Sequence, residues 1–291
     1  MLKIENLSFG YGRAKRPVIN DLSLELPEGV VCGLLAPNGT GKTTLLQLIM
    51  GALTPRAGSV VFDGTDTRLR RPDVLAQMML VPEQISLPSL SLKNFTKLYG
   101  ALYPSFSQEI MDRCISEFHL EVPGRVNALS MGQMKKVYLA FALACQPRLL
   151  LMDEPTNGLD IPGKAAMRRL LASVLPENTT VVISTHQVRD LEQMLERIII
   201  MDNKRLLLDS TVSDIQRAMA FYSGASREDA AQALASVPSP AGFDIIVPNL
   251  DPDNTETPVN LEMLFEFAMT SPDSLMNLIS NAKTPVSHEQ L

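Results

Sequence analysis

The sequence predicts an α/β protein whose central sheet is mainly parallel. Three short apolar runs support this prediction, because each has the length and composition of a buried strand. They are residues 30–35, 149–152 and 180–184. The first two runs are each followed by a loop of small or polar residues and then by a helical pattern. This alternation is typical of α/β folds with parallel strands.

The first apolar run leads into a segment with the composition of a phosphate-binding loop. The segment consists of Ala36, Pro37, Asn38, Gly39, Thr40, Gly41, Lys42, Thr43 and Thr44, and the helical residues 45–50 follow it. Backbone N–H groups of such a loop form an anion-binding nest, to which the helix N-terminus adds its positive dipole end. Lys42 would lie near the β- and γ-phosphates, and the Thr43 hydroxyl would bind Mg²⁺. The segment predicts a P-loop NTPase core; a glycine-rich turn before a core helix is the alternative.

The composition allows a large folded core and argues against nucleic-acid binding. The chain has 291 residues, of which 45% are apolar, a formal net charge of −6 and a pI near 5.2. Cys32, Cys114 and Cys145 lack the spacing of a metal site, and we expect Cys32 and Cys145 to be buried thiols in a reducing cytoplasm. The N-terminal residues do not resemble a signal peptide. The longest apolar run, residues 137–145, is far shorter than the roughly 20 residues that span a bilayer.

Alternating apolar and polar residues predict an N-terminal antiparallel β-subdomain. Residues 2–9 and 18–26 show this alternation, and we expect two strands joined through a turn that contains Tyr11. Residues 59–62 are predicted to form a further strand. Tyr11 has two interpretations: an aromatic residue that covers a core edge, or a platform on which an adenine ring stacks.

A change of pattern after the β-subdomain predicts an inserted α-helical subdomain over about residues 85–145. Residues 87–128 lack β-branched runs and have helical periodicity. A further helix begins after Ser130 and runs to about Cys145. Ser130 is a good N-cap residue, because its hydroxyl can accept a hydrogen bond from an N–H of the first turn. A capped core helix is the simplest interpretation of this last segment.

Polar side chains follow the second and third apolar runs. Asp153 and Glu154 come directly after one run, and His186 ends the other. Open α/β sheets bind ligands at the carboxyl ends of their strands, and adjacent buried carboxylates are costly without a cation. We therefore expect Asp153 to hold Mg²⁺ through water and Glu154 to orient or deprotonate an attacking water. His186 either contacts a γ-phosphate or makes a structural hydrogen bond.

An ordered set of motifs runs through residues 1–215. It consists of Tyr11, the loop 36–44, a glutamine-loop region at 82–84, a Leu-Ser-x-Gly-Gln signature at 129–133, Asp153 with Glu154, the loop 158–160, and His186. This set resembles the nucleotide-binding subunits of ATP-binding-cassette (ABC) transporters. The resemblance implies an ATPase that uses ATP and Mg²⁺, in an ATP-binding domain that covers residues 1–215.

The resemblance also implies a dimer in which two ATP-binding domains pair head to tail. Each ATP would lie between one subunit's phosphate-binding loop and the other's signature helix. The implied site residues are Ser130, Gly132 and Gln133 acting in trans, Glu154 as the catalytic base or water-positioning residue, His186 as the switch residue, and Asp160 in the loop that communicates across the dimer.

Three positions depart from the family's pattern. Ala36 replaces the first glycine of the phosphate-binding loop, and its methyl group would carry a cost if this position needed a positive φ or a close backbone approach. Met131 replaces a signature glycine at a position that varies within the family. Glu83 directly follows Pro82, where the family usually has glutamine, and Gln84 comes one position later. Either Glu83 or Gln84 could therefore approach Mg²⁺.

Residues 216–291 are predicted to form a small C-terminal α+β extension of uncertain role. We expect a short helix over residues 223–236, a strand over 243–247 and a polar loop over 248–258. Residues 260–265 resemble the Leu-Glu-x-x-Phe segment that closes many export-type subunits of the family. The tail from about residue 271 to 291 is expected to be loose.

The resemblance implies that ATP hydrolysis drives a separate membrane-spanning permease from the inner face of the cell membrane. The expected partners are this permease, docked near residues 85–125, and a second copy of the chain or a paralogous subunit. No nucleic-acid partner is expected. Two alternatives are an ABC-superfamily ATPase that is not coupled to transport and a cassette that binds ATP with little turnover.

Overall fold

A computed structural model of the chain describes residues 1–12, 17–186, 192–202, 205–251 and 257–283. The strands are β1 (Leu2–Phe9), β2 (Ile19–Leu26), β3 (Val31–Leu35), β4 (Ala57–Phe62), β5 (Thr65–Asp66), β6 (Met78–Val81), β7 (Leu149–Asp153), β8 (Thr180–Thr185), β9 (Arg197–Asp202), β10 (Arg205–Thr211), β11 (Met219–Ala225), β12 (Ala235–Ser239) and β13 (Gly242–Pro248). The α-helices are α1 (Lys42–Ile49), α2 (Pro72–Leu75), α3 (Leu92–Gly100), α4 (Gln108–Glu117), α5 (Met131–Ala144), α6 (Ile161–Val174), α7 (Val212–Ala218), α8 (Arg227–Gln232), α9 (Leu261–Thr270) and α10 (Pro272–Lys283).

The central sheet has the strand order β10-β9-β3-β8-β7-β6. Its strands pair in parallel except for the β9–β10 hairpin, which confirms the predicted, mainly parallel sheet. Alternate residues of β7 enter two different cores. Leu149 and Leu151 pack with α1 and the N-terminal strands, whereas Leu150 and Met152 pack with α5 and α6. Burial on both faces explains why this strand is wholly apolar before its carboxyl end.

The N-terminal subdomain is an antiparallel sheet of order β2-β1-β4-β5, as predicted. Leu2 pairs with Leu26 and Ile4 pairs with Leu24, and all four side chains are buried. The sheet covers the α1 side of the central sheet, so that the turn after β1 lies close to the N-terminus of α1. This packing brings Tyr11 to the phosphate-binding loop.

The region between β6 and β7 is helical, as its periodicity predicts, and contains α3, α4 and α5. An aromatic cluster joins α3 and the segment that follows it to α5. The Phe141 ring of α5 lies 4.9 Å from Phe95, 5.7 Å from Phe106 and 6.0 Å from Tyr103 between ring centroids. In the part of the chain that the structure describes, no helix combines the length and the apolar character needed to cross a membrane.

The three cysteines are buried, as predicted for Cys32 and Cys145. Burial raises the pKa of the Cys32 and Cys114 thiols to about 12 and also raises the pKa of the Cys145 thiol, because each thiolate would lie in apolar surroundings. These thiols are parts of the core and not reactive groups.

The C-terminal extension differs from its prediction in one internal segment. Residues 223–236 were expected to form a helix, but only α8 is helical, and the flanking strands β11 and β12 pair with β13 in a three-stranded sheet. The strand predicted at 243–247 is confirmed as part of β13. The error arose because the short strands β11 and β12 gain their stability from pairing with β13, which local sequence does not reveal.

The expected loose tail is wrong for residues 272–283, which form α10. This helix packs against α7, α9 and β10, and its Leu275 side chain is completely buried. Buried residues of α7, α9 and α10 belong to the same core as β9 and α5. The remainder of the expected tail, residues 284–291, lies outside the described residues.

Candidate functional site

The phosphate-binding loop connects β3 to the N-terminus of α1. Gly39 and Gly41 have φ values of 78° and 105°, which favour glycine, and they turn the chain sharply before the helix. A Cβ atom on Gly41 would also lie 2.9 Å from Cγ1 of Val18, so glycine is required there for space as well as conformation. The loop thus directs the first N–H groups of α1 towards a cavity.

Ala36 carries no backbone strain in this loop. Its φ is not in the positive range, although seven other non-glycine residues of the described chain have positive φ values. The methyl group is buried, with 3% exposure, in the core under α1. The cost that the missing glycine would carry at a positive φ therefore does not arise, because alanine is compatible with this backbone.

Lys42 is buried and lies over the loop. Its Nζ donates hydrogen bonds to the carbonyl oxygens of Ala36 at 2.7 Å and Pro37 at 3.4 Å. Burial lowers the pKa of this amine, and the nearby charges of Glu154 and Asp153 act in the opposite direction. The ammonium group is thus placed between the loop carbonyls and the carboxylates at the carboxyl end of β7.

Asp153 joins the phosphate-binding loop to β8. One carboxylate oxygen accepts a hydrogen bond from Thr43 Oγ1 at 2.5 Å, and the other accepts one from Ser184 Oγ. The structure thereby brings together the two predicted Mg²⁺ ligands of the P-loop and β7. A hydroxyl and a carboxylate are oxygen donors of the kind that Mg²⁺ binds together with substrate phosphates, so these residues fit the ion.

Glu154 is buried at the end of β7, with 5% exposure. Its backbone φ is 45°, an uncommon value for a residue with a side chain. One carboxylate oxygen accepts a hydrogen bond from the backbone N–H of His186 at 3.1 Å and lies 2.6 Å from Nδ1 of the same residue. The other oxygen accepts a hydrogen bond from Thr185 Oγ1 at 3.2 Å. The carboxylate is therefore held in one orientation by β8 and the residue that follows it.

A cavity of about 510 Å³ collects these groups. It is lined by Tyr11, Val18, Asn38, Gly39, Gly41, Lys42, Thr43, Thr44, Glu83, Asp153, Glu154 and His186. Glu83 lines the cavity and accepts a hydrogen bond from Asn157 Nδ2 at 3.4 Å, whereas Gln84 is not among the lining residues. Of the two candidates for the glutamine-loop role, the geometry therefore favours Glu83.

Tyr11 forms the rim of this cavity. Its hydroxyl lies 3.2 Å from Thr44 Oγ1, and its ring makes an edge-to-face contact with Phe9 at 5.0 Å. The side chain is 52% exposed, so its ring is available to a planar ligand. Both interpretations of Tyr11 have a basis here, since the ring also contacts a residue at the edge of the core.

The signature residues are not part of this cavity. Ser130 and Gln133 form a reciprocal capping box at the N-terminus of α5, with hydrogen bonds of 3.3 and 3.1 Å. A Cβ atom on Gly132 would lie 2.8 Å from the carbonyl oxygen of Gly158, which shows how closely α5 approaches the loop 158–160. Asp160 caps α6 and forms a 2.8 Å ion pair with Lys136. The structure thus unites these predicted site residues with each other, and not with the phosphate-binding loop of the same chain.

Ser184 and Lys135 are among the polar residues at the site that sequence reasoning did not find. Ser184 is a hydroxyl residue in an otherwise apolar strand, and it hydrogen-bonds Asp153. Lys135 is buried, and its Nζ donates hydrogen bonds to the carbonyl oxygens of Glu154 at 2.6 Å and Glu83 at 3.4 Å. Burial lowers the pKa of Lys135, while the charges of Glu83 and Glu154 raise it. The available signal in the sequence was the charge of Lys135, which lies beside the apolar face of α5 and so predicts a buried cation.

Comparison with known proteins agrees with this geometry. Residues 19–157 match the family model described as ABC transporter. The chain is 27% identical over 268 residues to the ABC transporter ATP-binding protein YtrB of Bacillus subtilis, covering 85% of this chain and 91% of that protein. It is 29% identical over 210 residues to the lantibiotic transport ATP-binding protein SrtF of Streptococcus pyogenes, covering 72% and 90%.

A solved structure provides a further comparison. It is the ATP-binding cassette MJ0796 in a dimeric post-hydrolysis state with ADP and Pi, which is 26% identical and superposes with a TM-score of 0.64 over 72% of this chain and 98% of that one. The predicted α/β P-loop NTPase fold is confirmed by this likeness. The chain therefore carries an ABC transporter ATPase domain, which the family model matches over residues 19–157.

Proposed function

We propose that the chain is the ATP-hydrolysing subunit of a transporter, and that two subunits close head to tail around two ATP molecules to drive a separate permease. The observation that carries this proposal is the division of the predicted site residues between two places. Lys42, Thr43, Asp153, Glu154 and His186 meet in one cavity, while the signature residues lie outside it. One chain therefore presents two incomplete halves of an ATP site.

Within the first half, each residue has a role that follows from its position. Loop N–H groups and Lys42 bind the β- and γ-phosphates, and the Tyr11 ring stacks on the adenine. Thr43, Asp153 and Glu83 would hold Mg²⁺, which neutralises charge on the phosphates when bound. Glu154 orients the attacking water and accepts its proton, and His186 contacts the γ-phosphate while it orients the Glu154 carboxylate.

The second half faces outwards and suits a partner subunit. The N-terminus of α5 is a site for an anion, to which Ser130 and Gln133 can add hydrogen bonds. Large apolar side chains lie beside these residues in exposed positions, since Met131 is 78% exposed and Ile161, next to Asp160, is 84% exposed. A second copy that covers this surface would bury both side chains and bring its own nucleotide to the helix. A paralogous subunit could fill the same place.

Coupling to a permease is supported by the names of the relatives and by the helical subdomain. SrtF is named for lantibiotic transport, and a Nod factor export ATP-binding protein of Cupriavidus pinatubonensis is 32% identical over 206 residues. In the helical subdomain, the large apolar side chains of Leu98 in α3 and of Leu102, just after that helix, are exposed. We propose that the permease docks there, that the subunit acts on the cytoplasmic side of the membrane, and that transport is export.

The test of this proposal compares the purified protein with its Glu154→Gln variant. We expect wild-type protein to release phosphate from ATP, and the variant to bind ATP and accumulate as an ATP-dependent dimer, seen by size-exclusion chromatography. Equal phosphate release by the two proteins contradicts the role of Glu154. A variant that stays monomeric with saturating ATP and Mg²⁺ contradicts the head-to-tail dimer. Capture of no integral membrane protein from native cells contradicts the permease coupling.

A further inference from the structure

We propose that Lys135 is a positioning residue that links the signature helix of one ATP site to the carboxylate that hydrolyses ATP at the other site. This inference rests on the proposed head-to-tail dimer. In such a dimer, α5 contacts the nucleotide of the partner subunit, whereas Glu154 serves the nucleotide of its own chain. Lys135 belongs to α5 but bonds to the Glu154 backbone, so it connects the two sites.

The contacts of Lys135 are specific and buried. The side chain is 4% exposed, and its ammonium group donates hydrogen bonds to the carbonyl oxygens of Glu154 and Glu83. It does not line the nucleotide cavity. A buried ammonium group is stable only where several acceptors surround it, so its bonds to both loops constrain their backbones.

The Glu154 backbone is in a conformation that needs such support. Its φ of 45° is in the left-handed region, and Pro155 follows it, which restricts the conformations of Glu154 further. The carbonyl group that Lys135 binds joins these two residues. A hydrogen bond to this carbonyl therefore fixes the orientation of the peptide group between Glu154 and Pro155. It thereby restrains the Cα atom from which the Glu154 side chain extends.

The position of Lys135 in α5 makes the link between the two sites direct. It lies two residues after Gln133, whose side chain caps the helix. A shift of α5 towards the partner's ATP would move the ammonium group and, with it, the carbonyl groups of Glu83 and Glu154. Both residues line the cavity in their own chain. Hydrolysis at one site would thus depend on nucleotide at the other, which is a coupling between sites.

The experiment measures ATP hydrolysis against ATP concentration for wild-type protein and the Lys135→Met variant. Methionine keeps the length and apolar stem of the side chain but cannot donate a hydrogen bond. We expect kcat to fall about tenfold or more and the Hill coefficient to fall from above 1 to about 1, while the Kd of the monomer for ATP stays unchanged. Lys3→Met, which removes an exposed amine on β1, is the matched control and should leave all three quantities unchanged.

A merely structural role gives a different result. It predicts a lower Tm for Lys135→Met and a lower active fraction, with an unchanged Hill coefficient, and this outcome overturns the proposal. If the methionine variant does not fold, Lys135→Gln retains an uncharged NH₂ donor group, and an intermediate kcat with a reduced Hill coefficient is expected. If wild-type protein hydrolyses ATP with a Hill coefficient of 1, this result contradicts the coupling between the two ATP sites but leaves the proposed dimer standing. Wild-type protein that forms no ATP-dependent dimer contradicts the proposed function and, with it, this link.

Discussion

Nδ1 of His186 lies 2.6 Å from Oε1 of Glu154, the same oxygen that accepts a hydrogen bond from the backbone N–H of His186. Glu154 follows β7 and His186 follows β8, and these two parallel strands are neighbours whose register places Asp153 opposite Ser184. A buried carboxylate with two contacts from one residue has little freedom to rotate. The histidine therefore acts on Glu154 directly, besides facing the cavity.

The first prediction concerns this contact. In a His186→Ala variant, the Glu154 carboxylate loses the imidazole that orients it, and we expect kcat for ATP hydrolysis to fall about 100-fold. ATP binding should change little, since Lys42 and the loop remain. Steady-state phosphate release and a fluorescent-nucleotide titration measure the two quantities. His119→Asn is the control, because His119 is exposed, does not line the cavity, and has a φ of 50° that asparagine tolerates. A fall in ATP affinity alone would show that the histidine binds the nucleotide without orienting Glu154.

Sequence reasoning located most of the site because strand ends converge in a parallel sheet. The loop 36–44, Asp153, Glu154 and His186 each lie at the carboxyl end of a buried strand, and the structure brings them together as that rule requires. The Glu154–His186 contact was not predicted, because it depends on the register of two strands. The choice between Glu83 and Gln84 depended equally on the direction of a loop that no local pattern reveals.

The errors in the C-terminal extension have one physical cause. β11 pairs with β13 across the segment that contains α8 and β12, and α10 packs on α7, so the structure of β11 and α10 arises from contacts between segments distant in sequence. β12, which a short turn joins to β13, is stabilised in the same sheet. Local propensity is a weak guide where such contacts decide the outcome. At position 36, the glycine of the family pattern suggested that the backbone needs a positive φ. The φ of Ala36 is not positive, so this need is not present.

The second prediction separates two positions of the phosphate-binding loop. Ala36→Gly should leave ATP affinity unchanged, because the backbone there has no need of glycine, and should lower the free energy of unfolding by about 1 kcal/mol through the lost methyl group and added chain entropy. Gly39→Ala should weaken ATP binding by up to about tenfold, because its φ of 78° is strained for alanine by about 1–2 kcal/mol. Among the described residues other than the chain neighbours of Gly39, no atom lies within 4 Å of a Cβ placed there, so the effect comes from backbone strain and not from a clash within the protein. Isothermal titration with ATP and urea denaturation test both variants, and tighter ATP binding by Ala36→Gly would contradict the first expectation.

The third prediction concerns the contact between α5 and the loop 158–160. In Gly132→Ala, the new Cβ would lie 2.8 Å from the backbone oxygen of Gly158, so helix and loop must separate. We expect hydrolysis to fall about 10- to 100-fold and the ATP-dependent dimer of a Glu154→Gln background to weaken. ATP binding to the monomer should not change, since Gly132 lies outside the cavity. Gly124→Ala has open space around its Cβ and should retain wild-type activity. Equal loss in both variants would indicate a general effect of alanine at glycine positions.

The fourth prediction asks whether the C-terminal extension is part of the folded core. Leu275 of α10 is completely buried, whereas its neighbour Met276 is 44% exposed. Leu275→Ala should lower the free energy of unfolding by about 2–5 kcal/mol, because it leaves a cavity among α7, α9 and β10. Met276→Ala should change it by less than about 0.5 kcal/mol. Urea denaturation followed by circular dichroism gives both values. If Leu275→Ala is as stable as wild type, α10 is not anchored in this core. If it produces a separate early transition, the extension unfolds independently of the ATP-binding domain, and the shared core does not make them one cooperative unit.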